Sequence, residues 1–221
     1  MALQHSPSIV TSGLVLCVDA GNPRSYSGSG TAWNDAISSG YNFTLTNGPV
    51  YSSSNLGYFT FDGVNDFASA SNNTALDTQT PTVEVWIKTN ATSQNGFWFE
   101  KGSVNTQYSL FQEGASIVWR QYMSSSSTLV SQYTTTSSYI STSNWAHIVG
   151  TYTSGSRITY INGVAVTSDS QTGTINTNTS GMYIGAYGTG TGYFYNGALS
   201  ICRVYNRVLS ATEILQNFNA L

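Results

Sequence analysis

The chain has 221 residues, of which 8% are charged, 40% hydrophobic and 13% aromatic, and its formal net charge is −3. That length suits one large domain with a sizeable core, the aromatic content argues against disorder, and charge far below the usual ~25% leaves hydroxyls and amides to solvate the surface. The seven Lys and Arg are scattered without a basic stripe, which excludes nucleic acid and anionic membranes as partners, and the apolar runs are too short to span a bilayer.

Residues 1–12 read as an extended tail, and MALQHSPSIVTSG lacks the regions of a secretory signal. GLVLCVDAG is a strand that stops at Gly-Asn-Pro. Residues 24–55 are turn-dense with one or two short strands, and YFTFDGVNDFASA gives two strands about Gly63. TVEVWIK alternates with period two, setting Val83, Val85 and Ile87 against Glu84, Trp86 and Lys88. GFWFEKG and YSLFQEGASIVWRQYM follow, the latter turning at Gly114. The Ser/Thr-rich stretch 124–143 is an edge hairpin or a mobile loop.

In WAHIVGTY, Ala146, Ile148 and Gly150 face one way and Trp145, His147 and Val149 the other. RITYI and VAVTS are joined by Asn162-Gly163, the strongest two-residue hairpin signal, so this region builds a central part of a sheet. Two more strands surround the Gly/Thr loop 188–192. Ser210 and Glu213 have capping-box spacing, and Ile214, Leu215 and Phe218 share one face of a short closing helix. A dozen or so short strands with almost no helix predict one all-β domain, a two-sheet antiparallel sandwich or jelly roll. Cys17 and Cys202 make no metal motif. They are read first as buried reduced thiols and second as a bridge between paired first and last strands.

FDGVNDF, TVEVWIK, FEKGS, NWAHIVGTYTSGSRITYINGV and GALSICRVYNRVLSATEI resemble, in this order, the laminin G-like, concanavalin A-like jelly rolls. The N-terminal part, GLVLCVDAGNPRSYSGSGTAW followed by TLTNGPVYSS, resembles a narrower group of such domains in tailed-phage structural proteins. The resemblance implies two curved antiparallel sheets, with glycans or proteins bound by the concave sheet or the rim loops. It also implies that a structural calcium is common and that only some relatives are enzymes.

Glycosidases need two carboxylates poised across the scissile bond. Asp62 and Asp66 flank a turn, Glu84 stands alone on its strand, His5 is in the tail and His147 lies mid-strand as a structural histidine. The expectation is therefore a non-enzymatic protein. Asp62, Asn65 and Asp66 offer oxygen ligands for a calcium, or are ordinary turn residues whose side chains bond their own backbone. The acidic pair that relatives carry before the final RVY is replaced by Ser200 and Ile201. Glycan or partner contacts are expected from Tyr187, Tyr193, Tyr195 and Asn196, with Tyr193 and Tyr195 on one face, and from Trp119, Arg120 and Tyr122. A tyrosine-rich, charge-poor surface also suits protein interfaces. The expected role is a virion surface protein, either a capsid decoration or a fibre-associated module. Its partners would be capsid or tail proteins and host-surface glycans, with a homo-oligomer left open. A free lectin is the alternative, and a glycosidase the least favoured.

Overall fold

The computed structural model describes residues 7–37, 40–102, 107–124, 126–136, 139–188 and 190–220. The strands are β1 (Leu14–Asp19), β2 (Ala32–Trp33), β3 (Phe43–Thr46), β4 (Val50–Ser52), β5 (Tyr58–Asp62), β6 (Phe67–Ala70), β7 (Thr82–Thr89) and β8 (Gly96–Lys101). They continue with β9 (Tyr108–Glu113), β10 (Ser116–Met123), β11 (Thr128–Thr135), β12 (Ala146–Thr153), β13 (Ser156–Ile161), β14 (Val164–Asp169), β15 (Met182–Ile184) and β16 (Asn196–Tyr205). A 3-10 turn (Thr74–Leu76) follows β6, and helix α1 (Ala211–Asn219) closes the chain. Among the described residues no helix is long and apolar enough to cross a membrane.

The strands form two antiparallel eight-stranded sheets, as the all-β reading predicts. The first runs β14-β13-β12-β7-β16-β5-β4, and β1 also pairs with β16. The second runs β11-β10-β9-β8-β15-β6-β3-β2. Between them Phe59, Phe61, Trp33, Trp98, Phe99, Tyr108, Trp119, Tyr152 and Tyr195 are buried with aliphatic residues from both inner faces. Gly150 is needed on β12 because a Cβ there would come within 2.5 Å of the Trp119 ring.

The Asn162-Gly163 turn forms as its sequence demands, with φ of 50° and 80°. Its hairpin makes one flank of the first sheet, however, with β14 at the edge and β7–β16 at the centre. The stretch 124–143 contributes β11, the edge strand of the second sheet. His5 and residues 1–6 of the expected tail lie outside the described residues. The rest of that segment is docked: buried Val10 donates its N–H to Asn217 Oδ1 at 2.8 Å and accepts the Tyr205 hydroxyl at 3.0 Å.

First and last strands do pair, yet the cysteines do not bridge. Val18 lies opposite Cys202 and Cys17 opposite Arg203. This register sends the Cys202 thiol into the core and Cys17 to the outer face, since strand side chains alternate. Both are free and buried. Burial pushes Cys17 up to about 11, keeping it protonated.

Candidate functional site

Period two on the first sheet puts Glu84, Trp86 and Lys88 of β7 and His147 of β12 on its outer face. Helix α1 covers one half of that face. The Phe218 ring stacks 5.6 Å from Trp86 at 7° and 5.9 Å from His147. The Ser210–Glu213 capping box sets the helix start as predicted.

The other half is open. It forms a cleft of about 770 Å³, within the ordinary range for ligand sites. Asp19 at the end of β1 and Gly21, Asn22 and Pro23 of the following turn line it, with Tyr51 of β4 and Ser53, Asn55, Leu56 and Gly57 of the β4–β5 turn. Half-buried Trp86 and Trp145 form another wall, and Ser200 and Ile201 contribute from β16. The positions where the resemblance leads one to expect an acidic pair are thus part of an open cleft. A smaller cavity of about 170 Å³ shares Asn55 and Trp145 and adds Tyr58, Thr60, Lys88, Asn90 and Ala198.

A β-bulge builds this space. Leu199 pairs with Ile87 and Ile201 with Trp86, so Ser200 is the extra residue. Its hydroxyl donates to the Gly57 carbonyl at 2.6 Å, and its carbonyl accepts the Ala20 N–H at 2.9 Å, fixing both turns to the central strand. The two turns cross at glycines: a Cβ on Gly21 would lie 1.4 Å from the Leu56 carbonyl oxygen. Asn55, Leu56 and Gly57 all have left-handed φ, at 47°, 67° and 92°. For leucine that conformation is costly and clusters at functional sites, and Leu56 stands 70% exposed beside the tryptophans.

Aromatic faces stack on the CH faces of sugars, and the Asn, Ser and Asp groups supply hydrogen bonds to hydroxyls. The Trp86 indole N–H is buried without a protein partner. Asp19 is the cleft's one acidic residue. Burial raises its carboxyl above the ordinary value, opposed by the Gly21 N–H and Arg203.

The predicted residues fall in several places. Tyr187, Tyr193 and Arg120 do come together on the outer face of the second sheet. They line a pocket of about 200 Å³ with Asn95, Phe97, Phe111, Gln112 and Glu113. Tyr187 and Tyr193 meet edge-on at 5.8 Å, Phe97 stacks on Phe111 at 4.2 Å, and the Arg120 guanidinium lies 4.3 Å over Phe111. Tyr195 does not join them. It is fully buried against Trp98 and Phe61. Tyr193 has φ of 48°, which breaks the alternation that would have put both tyrosines on one face.

Trp119 is also a core residue, its indole donating to the Thr151 carbonyl at 3.0 Å. Asn196 is engaged by Asn90 and Gln94 at 2.8 Å each. Tyr122 is half-buried on β10 opposite Leu129 and does not line the pocket. The cleft itself escaped the sequence reading. Its available signal was a tryptophan on the polar face of two alternating strands.

The calcium candidates close on themselves. Asp62 Oδ1 accepts the N–H groups of Val64, Asn65 and Asp66 at 2.8, 3.2 and 3.4 Å. Asp66 Oδ2 accepts the Asp62 N–H at 3.1 Å, and the Asn65 carbonyl accepts Asn47 Nδ2 at 2.8 Å. These residues fit a side chain–backbone turn rather than a converging calcium ligand set. Among the described residues no three His, Cys, Asp or Glu side chains converge on a metal-sized site.

Glu84 is no catalytic acid candidate. It is fully buried, 2.6 Å from Arg203 and 2.8 Å from Asn217 Nδ2. His147, read from the sequence as a structural histidine, is buried, stacks on Trp86 at 5.1 Å and brings Nε2 to 3.6 Å from Glu84.

The molecule is a lectin-like antiparallel β-sandwich with an aromatic cleft on one sheet and an aromatic pocket on the other. The profile of the concanavalin A-like lectin/glucanases superfamily, of laminin G type, matches residues 62–215, and the chain belongs to this family. No curated protein sequence matches it. The binding domain of Paraclostridial Mosquitocidal Protein 1 is similar in structure, with a TM-score of 0.74, 17% identity, 94% of this chain covered and 52% of that one. For the binding domain of botulinum neurotoxin serotype G the values are 0.73, 16%, 93% and 50%. For Trypanosoma rangeli sialidase in complex with sialic acid they are 0.68, 16%, 96% and 33%. The chain spans about half of the toxin binding domains. At these identities the likeness is one of fold.

Proposed function

We propose that the protein is a non-enzymatic glycan-binding domain whose sugar site is the cleft of Trp86 and Trp145. The observation that carries this reading is the cleft's composition: two half-buried tryptophans and Tyr51 beside Asn22, Ser53, Asn55 and Ser200, with Asp19 as its single carboxylate. One carboxylate does not make a two-carboxylate hydrolase. A glycan array with purified protein tests it. The expected result is saturable binding to a defined class, lost in Trp145→Ala with the fold intact. A blank array with folded protein contradicts it.

A second reading concerns where the domain works. On the outer face of the second sheet Phe97, Phe111 and Val118 form a buried row across β8, β9 and β10 that ends in exposed Tyr133 on β11. Tyr133 and Tyr193 are 54% and 53% exposed. Such a face has the aromatic enrichment of protein interfaces. Together with the phage-like N-terminal segment, it supports a place on a virion surface, with this face toward capsid or tail protein. Co-purification with particles, weakened by Tyr133→Ser, is expected; absence from particles contradicts this role.

A further inference from the structure

We infer that the sugar bound in the cleft is anionic and that its acidic group is seated at Lys88. The inference rests on the glycan-binding reading above and names the ligand class for that site. Five of the chain's seven cations form ion pairs: Lys101 with Asp77, Arg120 with Glu113, Arg157 with Asp169, Arg203 with Glu84 and Arg207 with Glu213. Among the described residues the two without an ion pair are Arg24 and Lys88. Only Lys88 lines the small cavity that adjoins the cleft; Arg24 follows Pro23 of the rim but is exposed and lines neither space. In a chain so poor in charge, an unpaired lysine between amides and an aromatic ring is a feature the fold does not use.

The surroundings of Lys88 suit a carboxylate or sulfate. Cross-strand pairing sets it beside Ala198, with Thr60 beyond. The short alanine leaves room above the strand between Lys88 and the Thr60 hydroxyl. Asn55, Asn90, Tyr58 and Trp145 complete the cavity, giving amide and hydroxyl donors around one ammonium group. An oxyanion there gains charge-assisted hydrogen bonds. Asp19 pairs with Ile201, which lies opposite Trp86, so Asp19 stands two strands over and two positions along from Lys88, roughly 12 Å away. Its carboxylate disfavours a second anion beside it. The cleft therefore has a polarity: the ring stacks at Trp145, and the acidic substituent points to Lys88.

The test is a glycan array carrying neutral, carboxylated and sulfated members on matched cores, probed with wild-type protein, Lys88→Gln, Arg24→Gln and Trp145→Ala. Wild-type protein is expected to favour anionic members about ten-fold or more, the scale of one hydrogen-bonded charge pair. Lys88→Gln should bring anionic members down to the neutral level, and Trp145→Ala should lose both. The preference between carboxylated and sulfated members identifies the acidic group. Equal binding of anionic and neutral members, a preference that survives in Lys88→Gln, or one lost only in Arg24→Gln would overturn the inference. In the first case the glycan-binding reading stands if Trp145→Ala loses neutral sugars. If folded protein binds no glycan, both fall.

Discussion

Arg203 Nη1 lies 2.6 Å from Glu84 Oε1 beneath helix α1, on the outer face of two central strands, with neither side chain more than 3% exposed. Asn217 of the helix donates to the second Glu84 oxygen at 2.8 Å and to the Tyr205 hydroxyl at 2.9 Å. This buried pair fastens the helix to the sheet, and its rigidity supports the Trp86–His147–Phe218 stack at the border of the cleft. Removing one partner of a buried ion pair strands the other. Glu84→Ala is expected to cost about 3–5 kcal/mol. Urea unfolding measures it, and a loss under ~1 kcal/mol would mean the pair is not the fastening.

The same group sets the acid limit. Burial alone would raise the Glu84 carboxyl, but His147, Arg203 and Asn217 outweigh it and hold it at about 2 against the usual 4.5. Glu213 is lowered to about 2 by Arg207 and Ser210. A carboxylate whose folded value is depressed contributes stability fully above its unfolded value and loses it as pH falls toward the folded one. The melting temperature should therefore hold from pH 7 to about 5 and drop between 4.5 and 2. Glu84→Gln should flatten that drop in a calorimetric pH series, and an unchanged slope would assign the acid limit to other groups.

The crossing of the two turns predicts a loss of binding without loss of fold. A methyl group on Gly21 collides with the Leu56 carbonyl, so Gly21→Ala must displace the 55–57 turn, whose Asn55 and Leu56 are exposed. Overpacking of this kind costs about 1–3 kcal/mol. We expect a lowered melting temperature and at least a several-fold loss of glycan binding. Unchanged affinity would show that the turn is no part of the site.

The Asp62 turn predicts independence from calcium. Its carboxylate already accepts three backbone N–H groups. A bound ion would add stability by mass action, so chelator should leave the melting temperature within about a degree. Asp62→Ala should cost about 0.5–1.5 kcal/mol, the net worth of an exposed hydrogen-bonded turn whose freed N–H groups pass to water. A chelator shift of several degrees would restore a cation site.

Local signals were legible in the sequence because they are set by neighbouring residues. Asn162-Gly163 fixed its turn, Ser210 and Glu213 fixed the helix start, and alternation in TVEVWIK put Trp86 beside Glu84 and Lys88. The same alternation shows why Trp119, Arg120 and Tyr122 could not form one site: adjacent strand residues face opposite sides, and Trp119 takes the core side. Alternation does not reveal where it breaks. The left-handed Tyr193 sent Tyr195 inward, and the Ser200 bulge opened the cleft floor. The cleft draws on residues 19–23, 51–57, 86, 145 and 200–201. Only the pairing of β16 with β1, β5 and β7, and of β7 with β12, brings these together, and no local pattern encodes that.

The central claim is that sugar binds at the tryptophan cleft of the first sheet and not at the tyrosine pocket of the second. Isothermal titration of the best array glycan into wild-type protein, Trp145→Ala and Tyr193→Ala tests it most directly. We expect Trp145→Ala to lose binding by at least about ten-fold, a loss of ~1.4 kcal/mol, while Tyr193→Ala binds as wild type. Loss in Tyr193→Ala with Trp145→Ala unaffected would contradict the account and move the site to the other face.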